Sequence, residues 1–120
     1  MKIWTVRLSL SNDGRGNWLR FFEVETDDKE YKLVNGIFYE VKTGWTRHEI
    51  PSEITVRHIA SGYLVECGYT EQPTEFELGV IEYEMKQSLN NYFEYEYKQY
   101  IEMFDAKIQG LFSLTEEGSK

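Results

Sequence analysis

The sequence predicts an α+β fold: an antiparallel sheet of about six strands, open to strong curvature, followed by one bent or two C-terminal α-helices. Three observations predict it. Apolar residues alternate with period two through much of the first seventy residues, turn-forming dipeptides cut that stretch into hairpins, and the last fifty residues switch to a helical period. A chain of 120 residues holds one compact core and is too short for two. The expected organisation is therefore a single domain over 1–120, with sheet over 1–70, a helical part over 74–112 and a frayed tail over 113–120.

The first strand starts at Trp4, where Trp4, Val6, Leu8 and Leu10 alternate with Thr5, Arg7 and Ser9. A Gly- and Asn-rich turn over 12–17 leads into a second strand, Trp18 to Glu25, with aromatic residues on both faces. Thr26 to Lys29 turns again. Two sharper hairpins follow. Asn35-Gly36, between Tyr31–Val34 and Ile37–Val41, suits a type I′ turn, and Ser61-Gly62 divides a second pair of strands. Between the hairpins, Thr43 to Pro51 reads as an irregular connection ended by proline.

After Pro73 the pattern becomes helical. Thr74 is placed to cap a helix whose first turn carries Glu75 and Glu77, where the helix dipole favours acid. Leu78, Ile81, Met85, Leu89 and Tyr92 form one apolar stripe; Phe93, Tyr97, Tyr100, Ile101, Phe104, Ile108 and Leu111 form another, rotated from the first. The stripes change at Asn90-Asn91, two poor helix formers, so a kink or break is expected there. Gly110 is the expected stop.

Composition narrows the function. The net charge of −8 disfavours direct nucleic-acid binding and a grip on an anionic membrane. No apolar run is long enough for a secretory core or a membrane span, and Cys67, the lone cysteine, has no intramolecular disulfide partner. These features fit a cytoplasmic protein, in the host-cell cytoplasm if phage-encoded. Cys67 reads as a small packed hydrophobe.

Little in the chain suggests chemistry. His48 stands beside Glu49, and His58 lies in a strand. No flanking signature supports a catalytic pair of His58 with Cys67. Metal-ligand spacings are missing, and Gly14-Arg-Gly16 is too short for a phosphate loop. No enzyme activity, cofactor or metal is expected.

The charge is segregated. Residues 1–70 hold nine Lys/Arg and ten Asp/Glu, a net of −1, whereas residues 71–120 hold four and eleven, a net of −7. A solvated helix face is the plain explanation for such a run. The segregation points further, to a non-enzymatic acidic protein-binding module. Its expected partner is a basic, nucleic-acid-binding protein, inhibited by carboxylates that imitate duplex phosphates, in the manner of phage or mobile-element anti-defence proteins such as anti-CRISPR inhibitors. The expected contacts are Glu75, Glu82, Glu84, Glu94, Tyr95, Glu96, Glu102 and Asp105. One alternative is an OB-like single-strand nucleic-acid binder whose Arg7, Arg15, Trp18, Arg20 and Phe21 form a stacking platform. A second is a structural subunit that self-associates through exposed Tyr and Phe. Monomer and homodimer both fit the sequence.

Overall fold

The computed structural model describes the backbone of residues 1–42 and 48–116, and the side chains of 1–42 and 48–96. Seven strands and one helix follow in order: β1 (Trp4–Asn12), β2 (Trp18–Thr26), β3 (Tyr31–Val34), β4 (Ile37–Glu40), β5 (Glu49–Pro51), β6 (Thr55–Ile59), β7 (Gly62–Tyr69) and α1 (Glu75–Glu116). The α+β class and the antiparallel pairing are as the sequence predicts. The chain divides into two compact units, Met1–Leu89 and Asn90–Lys120.

The strands form two sheets where a single one was expected. One has the order β2-β1-β7-β6, the other β3-β4-β5, and neither closes into a barrel. The difference lies in the segment read as irregular. Glu49–Pro51 pairs with β4, matching Ile37 with Pro51 and Phe38 with Ile50. Three residues carry too little period-two signal to be recognised. Proline lacks an N–H, so β5 can only be an edge strand, and β4 gains a sheet of its own. At the β3–β4 turn, Asn35 and Gly36 have φ of 52° and 80°, the type I′ geometry the dipeptide requires.

Register sorts the larger sheet into two faces. Val6 lies between Val24 and Cys67, and Leu8 between Phe22 and Val65, so these residues share one face. Val6, Leu8, Val65 and Cys67 are all buried. The opposite face carries Arg7, Glu66 and Gly68. A Cβ on Gly68 would meet Ile50, Ile3 and Phe38 at 2.7, 3.0 and 3.0 Å, so the small sheet packs here. Ile3, Tyr31, Phe38 and Ile50 form that second apolar cluster.

Helix α1 begins where its capping chemistry dictates. Glu77 N–H donates to Thr74 Oγ1 at 3.2 Å, and Thr74 N–H donates to Glu77 Oε1 at 3.1 Å, a reciprocal capping box. Ile81, Met85 and Leu89 are buried, as their expected stripe requires. Glu84 adds to the rise that burial gives the pKa values of Cys67 and Tyr69. The helix is assigned without interruption through Asn90-Asn91 and Gly110 to Glu116. Asn and Gly each cost less than about 1 kcal/mol relative to Ala, and no proline enforces a stop. The unit boundary nevertheless falls between Leu89 and Asn90, where the stripes change. The side chains of the second stripe beyond Phe93, and of the expected tail, lie outside the described residues. Among the described residues no helix is long and apolar enough to cross a membrane.

Candidate functional site

The acidic residues of α1 have different fates. In the first unit Glu75 and Glu84 are exposed, and neither has an ion-pair partner among the described residues. Glu82 is half-buried and pairs with Lys86 at 3.3 Å, one turn along the same helix. In the second unit Glu94 and Tyr95 are exposed, while Glu96 is half-buried and accepts a hydrogen bond from Tyr92. Glu102 and Asp105 lie outside the described side chains.

Between the first-unit glutamates runs a feature the sequence reading missed. Phe76, Val80 and Tyr83 are exposed by 81%, 43% and 63%. They recur at one and two turns, so they share a stripe. Met85 follows Phe76 by about two and a half turns, which puts the stripe directly opposite the buried side. Glu77 and Glu84 flank it on one side and Glu75 on the other. Gly79 adjoins it with open space where a side chain would be. The signal was present at positions 76, 80 and 83. Charge and periodicity place Tyr83 on the exposed face, but Ile81, Met85 and Leu89 already account for an amphipathic helix, so neither distinguishes Phe76 and Val80.

The basic and aromatic residues of the first hairpin do not share a surface. Arg20 and Trp18 fall on the Val6 face, Phe21 and Arg7 on the other, because alternate residues of a strand face opposite ways. Trp18 and Phe21 are exposed, 52% and 58%, and so are Arg15 and Arg20. Arg7 is occupied: Nε donates to Glu66 Oε2 at 3.0 Å and Nη1 to Glu25 Oε2 at 2.5 Å, with Glu23 at 3.9 Å. Burial opposes its charge, but these carboxylates outweigh that and raise the guanidinium pKa.

Beside this ion pair a cleft of about 320 Å³ is lined by Ile37, Glu49, Pro51, Thr55, Arg57 and Glu66. Its polar groups are two carboxylates, a guanidinium and a hydroxyl, and Glu66 lies 3.0 Å from Arg7 and 4.0 Å from Arg57. The Thr55 hydroxyl already donates to Glu53 O at 3.0 Å. His58 and Cys67 do not meet: His58 pairs with Tyr63, four positions along β7 from Cys67. Burial also pushes the Cys67 thiol pKa up, away from nucleophilic thiolate. No cluster of potential metal ligands occurs among the described residues.

A polar network ties the small sheet to the chain before it. Buried Tyr31 donates its hydroxyl to Asp27 Oδ2 at 2.8 Å and lies 3.0 Å from His48 Nδ1, while His48 N–H donates to Glu40 Oε2 at 3.2 Å. Burial first, then the hydrogen bond to Asp27, raises the Tyr31 pKa well above its ordinary value. The unfolded chain therefore ionises first, and folding stability falls as pH rises above about 10. Tyr31→Phe is expected to cost about 1–2 kcal/mol at neutral pH. It should also flatten the alkaline decline in urea-unfolding stability, which Tyr69 shares. An alkaline slope identical in Tyr31→Phe and the parent would refute this assignment.

The chain matches no protein-family model, no curated protein and no solved structure.

Proposed function

We propose that the protein is a non-enzymatic binding module that engages a basic protein partner through the outward face of α1 in the first unit. The supporting observation is the exposed Phe76–Val80–Tyr83 stripe, set opposite the buried one and bordered by Glu75 and Glu84, which have no ion-pair partner among the described residues. Apolar anchors within a charged rim are the composition of a contact surface: the anchors carry affinity, and the rim steers encounter and selects the sign of the partner. The partner surface this fits is an apolar ridge flanked by Lys or Arg. The finer reading is an inhibitor that occupies the cationic site of a nucleic-acid-handling protein, with carboxylates standing where phosphates would bind.

The single-strand-binding alternative has less support, since Arg7 is held by carboxylates and Phe21 faces away from Trp18 and Arg20. A basic amphipathic peptide, with a Leu stripe flanked by Lys and Arg, tests the leading reading. On titration its amide shifts should concentrate between Phe76 and Glu84 and its affinity should fall with salt. Glu75→Lys/Glu84→Lys should weaken it by roughly tenfold to a hundredfold while the circular dichroism spectrum stays unchanged. Shifts confined to other surfaces would sink the proposal. For the finer reading, the protein should displace duplex DNA from a basic DNA-binding protein at low salt.

A further inference from the structure

The outer edge of β2 carries a second, independent inference. β2 is a terminal strand of its sheet, nine residues long, and has no proline, glycine or lysine. Natural edge strands are blunted by such residues, by other charges, by bulges or by shortness; the charges on β2 are Arg20, Glu23 and Glu25, and both glutamates lie against Arg7. This one exposes Trp18, Leu19, Phe21 and Val24.

The register shows which of its main-chain groups are free. Asp13 N–H donates to Asn17 O at 3.0 Å, so Asp13 and Asn17 are a hydrogen-bonded pair that continues the β1–β2 ladder. Pairs of this kind recur every second residue. Leu19, Phe21, Glu23 and Glu25 therefore turn their N–H and C=O groups toward β1. Asn12 N–H bonds to Ser61 O at 2.7 Å, on the β7 side of β1, as the same alternation demands. Trp18, Arg20, Phe22, Val24 and Thr26 then direct their main-chain groups away from the sheet, where no strand among the described residues meets them.

We propose that this edge is a homodimer interface, in which two copies pair their β2 strands antiparallel about a two-fold axis at Phe21. A two-fold axis perpendicular to the sheet keeps each face on its own side, so only residues of like parity can oppose one another. Axes at Arg20 or Glu23 would oppose like charges. An axis at Phe22 would set two apolar residues against carboxylates, Phe21 against Glu23 and Leu19 against Glu25. The axis at Phe21 leaves one such pair, Leu19 against Glu23; it sets Phe21 against Phe21, Trp18 against Val24 and Arg20 against Phe22, and it pairs the outward main-chain groups of Trp18, Arg20, Phe22 and Val24. Glu23 and Glu25 lie against Arg7 of the same chain, which lessens the repulsion between their copies. A second copy is the occupant favoured by this self-complementary register. A strand from another protein would need to supply the same pattern.

Sedimentation equilibrium across the micromolar range tests the proposal. The expected species has twice the chain mass of 14.3 kDa, and Phe21→Glu reverts to the chain mass at the same concentration. Phe21 is 58% exposed, so the variant should keep the parent's circular dichroism spectrum. Mild oxidation reads the register: Phe21→Cys should form a covalent dimer faster than Leu19→Cys or Glu23→Cys, with buried Cys67 unreactive in all three. A parent that stays at chain mass overturns the proposal, as does a dimer undisturbed by Phe21→Glu. Faster cross-linking at Leu19 or Glu23 overturns the register.

Discussion

Gly62→Ala is expected to destabilise the protein by about 3 kcal/mol, lowering its melting temperature by more than about 10 °C. A Cβ at this position would stand 1.9 Å from the carbonyl oxygen of Leu10 and 3.1 Å from the Cα of Ser11. Both are main-chain atoms of β1, paired with β7 at Leu10↔Tyr63 and Ser11↔Gly62. A flexible side chain could swing aside; a strand can yield only by giving up ladder bonds. The end of the β1–β7 pairing would open, and with it the Asn12 N–H to Ser61 O bond. Gly79→Ala is the contrasting substitution. It meets nothing within 4 Å and lies within α1, so it should add about 0.5–1 kcal/mol. Equal melting temperatures for the two variants would contradict the close approach at Gly62.

Those two glycines show why some of the fold is legible in the sequence and some is not. Ser61-Gly62 reads as the turn, but the turn residues are Ala60 and Ser61: Gly62 already pairs with Ile59 as the first residue of β7, and the Leu10 carbonyl that forbids a side chain there lies some fifty residues away. Local chemistry was read correctly at Thr74, whose bond with Glu77 spans one turn of helix, and at Asn35-Gly36. Period-two alternation places Val6 and Leu8 on one face because every second residue of a strand shares a face; Val65 joins them only through the β1–β7 register, which the sequence does not show. The same rule fails at Glu49–Pro51, where three residues offer barely one period. Asn90-Asn91 and Gly110 misled in the other direction: their propensities are weak, and a long helix absorbs them. Of the candidate site, the acidic residues were legible from charge counts. Phe76 and Val80 were not singled out, because exposure is decided by what packs against the opposite side of the helix. The Arg7–Glu66 pair was invisible, since 59 residues of sequence separate two strands that the fold makes neighbours.

That pair gives the other large effect. Arg7→Leu is expected to cost about 3–5 kcal/mol, whereas Arg7→Leu/Glu66→Leu should recover most of the loss. Arg7 and Glu66 are register partners on adjacent central strands, and Glu66 is only 7% exposed. Removing Arg7 alone leaves the Glu66 carboxylate in a site with little water and only Arg57, 4.0 Å away and 58% exposed, to balance it. A charge out of water without a close partner loses hydration that nothing replaces. Removing both charges takes that loss away and adds apolar surface beside Ile37 and Pro51. Urea unfolding of the parent, both single variants and the double variant forms a thermodynamic cycle that isolates the coupling. Glu66→Leu alone should be milder than Arg7→Leu, because half-buried Arg7 keeps Glu25 and Glu23 as partners near solvent. If the double variant is as unstable as the sum of the singles, the two side chains act separately, and the ion pair is not what makes Arg7→Leu costly.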